Sequence, residues 1–367
     1  MPWIHQFIQP TGVKYCCAST RELTVAPTEF ANSDYLAQVK HTIKQGQVPE
    51  DCRRCVEKEN MGFVNTRQLA LADWNYTVDT VPDRVEYLDL RYSNQCNFSC
   101  RTCEPAYSSQ ISKELDNNPA LLTYYKKPAP RIHQDMVASI DPFLHNLTKI
   151  NFTGGEPLII KENFDLLENL IAAGRTDVQL LITTNASTTN PRMLDLFRQF
   201  TDIHFTVSID AVGPVAEYVR HGTDWNRVAS NVAELVSLNH SITINCTVSS
   251  YSILDLARLV TYFVQLKNQC RAPLEIMFSV VQDPTFLYPG ALPKHLKNKA
   301  IEQLTASVAM LQAIESNPAK HLQTLIQLKS ELESADVHGK THTFVVFTNT
   351  LDGIRNQNFT STFGEPL

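Results

Sequence analysis

The sequence predicts an α/β protein: a partial (β/α)6 TIM-like barrel with an N-terminal cysteine-bearing appendage and a C-terminal helical extension. Two observations carry this expectation. From about residue 84 to 285, short apolar, β-branched runs alternate with amphipathic helical stretches. Seven of the nine cysteines fall before residue 104. The expected division is a cysteine-bearing module at 1–80, the barrel at 84–285 and a helical extension at 286–367.

Residues 1–80 are mixed, with two cysteine pairs and a helical pattern near Tyr35–Gln45. The expected barrel strands are Val85–Arg91, Lys149–Thr153, Val178–Thr184, His204–Ile209, Ile242–Ser249 and Glu275–Val281. Between them lie the expected helices Glu162–Ala173, Asn190–Phe200, Asn226–Leu238 and Ile253–Leu266. A helix long enough to recross the sheet after each strand predicts parallel pairing. In that architecture chemistry belongs to the loops after the strand C-termini. From Pro293 to about Ser334 the pattern is helical, and Thr343–Phe347 reads as one further strand.

The chain has 367 residues, 43% of them hydrophobic, enough to bury a sizeable core. A formal net charge of −6 argues against a nucleic-acid partner, which needs a basic face. No apolar run approaches the roughly 20 residues that cross a bilayer. The opening segment MPWIHQFIQP lacks a basic stretch followed by an apolar core, so the expectation is a chain that stays in a reducing cytoplasm, away from membranes. There, nine cysteines are poorly explained by disulfides, and metal or cluster ligation is the better reading.

Cys96-x3-Cys100-x2-Cys103 lies in the loop after the first barrel strand. Thiolates at such short spacings hold iron–sulfur cubanes, and three ligands leave one iron open to a chelating partner. Zinc is the alternative, but it normally closes a tetrahedral site with four protein ligands, and no fourth Cys or His lies nearby in sequence. Thr153-Gly154-Gly155-Glu156-Pro157 follows the second barrel strand. Two glycines let backbone approach a ligand, and a carboxylate accepts hydrogen bonds from an ammonium group. Alone, that segment reads better as a Gly-Gly turn with a surface glutamate before a helix.

Together, the CxxxCxxC loop and the GGEP segment resemble the radical S-adenosylmethionine (SAM) superfamily. The resemblance implies a [4Fe–4S] cluster on Cys96, Cys100 and Cys103 whose open iron binds the amine and carboxylate of SAM. It implies that one electron from the cluster splits SAM into methionine and a 5′-deoxyadenosyl radical that takes hydrogen from a substrate. By the same resemblance Gly154, Gly155 and Glu156 bind the methionine amine, Ser208 and Asn185 the ribose hydroxyls, and Arg220 the methionine carboxylate. Val248 supplies an adenine wall or is a core valine, and Asp210 stands beside this group in sequence. One position departs from the family: the residue before the third cysteine is often aromatic there, and here it is Thr102.

Trp3-Ile-His5, Gly12-x4-Cys17, Cys52-x2-Cys55 and Glu59-x2-Gly62 resemble the SPASM and "twitch" modules that carry an auxiliary iron–sulfur cluster beside some of these barrels. In those families the module usually follows the barrel; here it precedes it. The cysteine that often opens the pattern is missing, so the expected ligands are Cys17, Cys52 and Cys55, with Cys16 as alternative or fourth ligand. A zinc site remains the competing reading. Cys246 and Cys270 read as packed thiols.

The expected function is therefore a radical SAM enzyme acting on a peptide or protein side chain and served by an electron donor such as flavodoxin or ferredoxin. The alternatives are RNA- or small-molecule-modifying enzymes of the same chemistry, or a zinc-stabilised binding protein. A polar SAM methyltransferase would place a Gly-rich loop after its first strand, where this chain has cysteines.

Overall fold

The computed structural model describes residues 1–62, 65–128, 139–314, 320–334 and 340–367. Ten strands lie among the described residues. The first five are β1 (His5–Gln9), β2 (Gly12–Lys14), β3 (Tyr87–Leu90), β4 (Ser99–Cys100) and β5 (Lys149–Phe152). The rest are β6 (Gln179–Thr184), β7 (Ile203–Ser208), β8 (Arg220–His221), β9 (Ser241–Val248) and β10 (Leu274–Val280). The chain divides into two units: residues 1–95, 128–182 and 191–203 form one, and 96–127, 183–190 and 204–367 form the other.

The first unit is a mixed sheet. β1 turns antiparallel onto β2, then pairs parallel with β3, Ile8 opposite Leu90. β3 pairs parallel with β5, and β5 with β6. Residues 5–14 thus extend the sheet that begins at β3. The β6 residues Leu180 and Ile182 are buried, as are Ile150 and Phe152 on β5, while the residues between them are half-buried. This period-2 pattern fits a sheet with one fully covered face. The helix Lys161–Ala172 buries Leu166, Leu167 and Leu170, one stripe at helical spacing. Each such side chain contributes about 1.5–3 kcal/mol on leaving water.

In the second unit β7, β9 and β10 run parallel, with Val207 opposite Ile244 and Ile276 also opposite Ile244 on the other side. β4 and β8 form a separate two-residue antiparallel ladder. The helices Trp225–Ser237 and Leu256–Gln269 bury apolar stripes led by Val228, Val232, Leu235, Leu259 and Phe263. The expected strands and helices of residues 84–285 all form, with ends displaced by a few residues. They make a mixed α/β structure with mostly parallel strands.

One expectation is corrected. Thr343–Phe347 is not a strand; it lies inside the helix Thr341–Arg355. Its β-branched and aromatic run favours a strand locally, but Phe344, Phe347, Thr348 and Leu351 are buried at helical spacing while Val346 faces solvent. Tertiary burial of that stripe outweighs local propensity. Among the described residues no helix is long and apolar enough to cross a membrane.

Candidate functional site

The cysteine turn is built by short-range hydrogen bonds. Ser108 caps the helix Ser109–Asn117 and donates to the Phe98 carbonyl at 2.6 Å. Ser109 Oγ donates to the Cys96 carbonyl and accepts from the Cys96 amide. The Cys103 amide closes on the Cys100 carbonyl at 3.1 Å. Cys96 and Cys100 are buried and Cys103 is half-buried. None of the nine cysteines is disulfide-bonded.

Two of the three sulfurs of this turn, those of Cys96 and Cys100, receive N–H donors. The Phe98 amide points at Cys96 Sγ at 3.5 Å, and the Asn185 amide nitrogen reaches the same sulfur at 4.0 Å. Arg220 Nη1 lies 3.8 Å from Cys100 Sγ. Burial pushes the Cys100 thiol up, with Arg220 opposing the shift; burial and the neighbouring Cys100 and Cys96 push Cys103 well above the usual thiol range. Metal binding to such thiols releases their protons.

Arg220 is far from a solvated helix arginine. Its side chain is 13% exposed and pairs with Asp210, itself fully buried, through Nε–Oδ2 at 2.8 Å and Nη2–Oδ1 at 3.0 Å. Burial alone would lower its pKa, but the Asp210 and Cys100 charges more than offset this and raise it. Asp210 Oδ1 also accepts from the Thr247 amide at 2.8 Å. Asn185 and half-buried Ser208 line the same small cleft as Asp210, Arg220 and Phe98. Val248 ends β9, wholly buried.

Asp210 and Arg220 are both sequence-based candidates, and their pairing appears only in the folded chain. Asn97, absent from those candidates, accepts through Oδ1 from both Asn185 Nδ2 and Ser187 Oγ at 3.2 Å and so ties the cysteine turn to the end of β6. The signal was its position directly after Cys96.

The GGEP segment is held against backbone. Gly154 has φ +112°, a conformation that disfavours side chains. A Cβ on Gly155 would lie 2.0 Å from the Gln95 carbonyl oxygen, so this close approach to the residues entering Cys96 requires glycine. The Glu156 amide donates to that same carbonyl at 2.7 Å. Glu156 is buried, not a surface residue, and one carboxylate oxygen accepts from the Leu158 amide at 3.1 Å. Nearby Asp89, absent from the sequence-based candidates, accepts from Asn151 at 3.2 Å; burial raises its carboxyl to about 7 against the pull of Arg91.

In the N-terminal region Cys16, Cys52 and Cys55 line a cavity of about 270 Å³ with Trp3, Tyr15 and Trp74 among its walls. The Tyr15 hydroxyl meets Cys52 Sγ at 3.4 Å. Cys17 is exposed and does not line this cavity. Among the described residues no three His, Cys, Asp or Glu groups are already drawn to metal-holding distances. The donor set of the Cys96–Cys103 turn suits an iron–sulfur cluster, because N–H groups aimed at sulfur favour the thiolate and tune the metal.

Residues 90–251 match the Radical SAM superfamily model. Among curated proteins, the chain is 28% identical to the GTP 3′,8-cyclase of Sulfurimonas denitrificans over 46% of this chain and 48% of that one. It is 24% identical to the GTP 3′,8-cyclase of Nautilia profundicola over 61% of this chain and 64% of that one. The chain thus spans less than two thirds of these relatives. Among solved structures, native anSMEcpe with bound AdoMet aligns at 17% identity and a TM-score of 0.43, covering 60% and 59% of the two chains. Streptococcus suis SuiB aligns at 14% identity and a TM-score of 0.43, covering 88% and 72%. Over residues 90–251, a little under half of the chain, the sequence is therefore similar to the Radical SAM superfamily.

Proposed function

We propose that the protein is a radical SAM enzyme that takes hydrogen from an unactivated C–H bond of its substrate, within a partial (β/α)6 barrel at 84–285. The observation that carries this is the Cys96–Cys100–Cys103 turn, in which the Cys96 and Cys100 sulfurs face N–H donors. These three thiolates would hold a [4Fe–4S] cluster. When bound, the cluster and SAM supply a one-electron reductive cleavage that yields the hydrogen-abstracting carbon radical.

The protein's own residues bind and orient. Gly154 and Gly155 bring backbone to the methionine amine, and Glu156 offers it a carboxylate. Arg220 donates from Nη2 to Asp210, is ion-paired to it through Nε and directs Nη1 at Cys100, and its guanidinium would turn its remaining N–H capacity to the methionine carboxylate. Asn185 and Ser208 serve the ribose, and Val248 the adenine. An electron donor such as flavodoxin or ferredoxin completes the system.

Residues 1–80 carry a second cluster in a twitch-like module. The reading is supported by three thiols that line one cavity, Cys16, Cys52 and Cys55, with Cys17 outside the lining. A zinc ion is the alternative occupant. The substrate is a peptide or protein side chain; a nucleotide is the second reading, favoured by the GTP 3′,8-cyclases among the relatives.

Anaerobic protein given dithionite and SAM should release 5′-deoxyadenosine slowly without substrate. Replacing Cys96, Cys100 and Cys103 together by Ala should abolish it; undiminished release from that variant would refute the assignment.

A further inference from the structure

Arg101 stands between Cys100 and Cys103 and is wholly buried. A buried guanidinium is costly unless its charge is paired and its N–H groups are bonded. Here partners for Nε and Nη2 are supplied from far along the chain. Arg101 Nε donates to the Tyr218 carbonyl at 3.0 Å, and the guanidinium carbon lies 3.7 Å from the Tyr218 ring centroid. Nη2 pairs with Asp352 and donates to Gln357 Oε1 at 2.9 Å.

Asp352 is itself fixed. It accepts from the Tyr218 hydroxyl at 2.8 Å and, through its other oxygen, from the Phe359 amide at 2.8 Å. A second bridge runs alongside: Arg355 forks onto Glu114 at 3.1 and 2.7 Å, and Glu114 accepts from Ser99 Oγ at 2.9 Å. Two arginine–carboxylate pairs therefore join the cysteine turn and its flanking helix to the helix Thr341–Arg355.

We propose that Arg101 is a positioning residue: through Asp352 it locks the turn bearing Cys100 and Cys103 onto the C-terminal helix, so that this helix sets how the thiols are held for the cluster. The turn has little regular structure of its own beyond the two residues of β4, and convergence of three thiolates on one cubane tolerates little drift. A planar fork gripped on several sides fixes direction as well as distance, which an apolar side chain or an ammonium group does not. The proposal rests on the cluster reading of Cys96, Cys100 and Cys103.

The test compares full-length wild type, Asp352→Asn, Arg101→Lys and Phe347→Leu after anaerobic reconstitution with iron and sulfide. Iron and sulfide per chain, the electron paramagnetic resonance signal of the reduced cluster with and without SAM, and the melting of metal-free protein are read for each. Each comparison is made in a Cys52→Ala/Cys55→Ala background, so that only the turn reports. Asp352→Asn and Arg101→Lys should lose most of the iron or show an altered cluster signal. Phe347→Leu, a core change on the same helix, should melt earlier with the wild-type signal. Wild-type iron and signal in both Asp352→Asn and Arg101→Lys would overturn the proposal. Should those two fail to fold, Gln357→Ala, which removes one bond to Arg101, decides by the same signal. Failure of the reference protein to bind iron would instead overturn the cluster reading.

Discussion

Cys100 and Arg220 face each other across the two-residue ladder of β4 and β8, with Arg220 Nη1 3.8 Å from the Cys100 sulfur and Asp210 behind it. The ladder fixes backbone register, and the Asp210 carboxylate fixes the direction of the fork. The Cys100 thiol and the Arg220 cation are thus held close together by two independent constraints.

Removing the cation leaves Asp210 buried and uncompensated. Arg220→Ala should destabilise the metal-free protein by about 3–5 kcal/mol, the cost of breaking a buried ion pair from one side. Arg220→Ala/Asp210→Ala should recover part of that loss, because the orphaned charge is gone. Urea denaturation of the three proteins measures both effects; equal stability of the single and double variants would contradict this account.

SAM affinity should fall when the GGEP segment is altered. Glu156→Ala removes a charge-assisted hydrogen bond worth roughly 1.5–3 kcal/mol, so binding should weaken by about ten- to a hundred-fold while the cluster still assembles. Gly155→Ala should act differently, by pushing the Gln95 carbonyl from its place and disturbing both SAM binding and cluster assembly. Equilibrium dialysis with SAM, alongside iron analysis, separates the two outcomes.

The N-terminal cavity distinguishes adjacent cysteines. In a Cys96→Ala/Cys100→Ala/Cys103→Ala background, Cys16→Ser should abolish a remaining cluster of about four irons per chain, whereas Cys17→Ser should spare it. Retention of one zinc and no iron in the background protein would recast the module as structural.

Asp89 should make stability fall with rising pH. Its carboxyl is raised to about 7 in the folded protein, chiefly by burial, against about 3.9 when unfolded. Between those values the folded state binds more protons, so this group's contribution is full below about pH 4 and is lost as pH rises through about 7. Asp89→Asn should therefore flatten the pH dependence between about 4 and 7 and stabilise the protein most at the alkaline end. Denaturation midpoints at pH 5 and 8 for both proteins check the sign.

The sequence alone determined the succession of strands and helices over residues 84–285, the cysteine turn after β3 and the glycine pair after β5. These are written in periodicity and spacing over a few residues, where local geometry decides. Tertiary structure decided the rest. Thr343–Phe347 became helical because its buried residues fall on one helical stripe, against local propensity. Cys16 came to line the N-terminal cavity while Cys17 did not, although the two are neighbours in the chain. Arg220 found Asp210 ten residues away, and Arg101 found Asp352 across 251 residues. A buried charge must take whichever counter-charge the packed elements bring to it, and that choice lies beyond any local pattern.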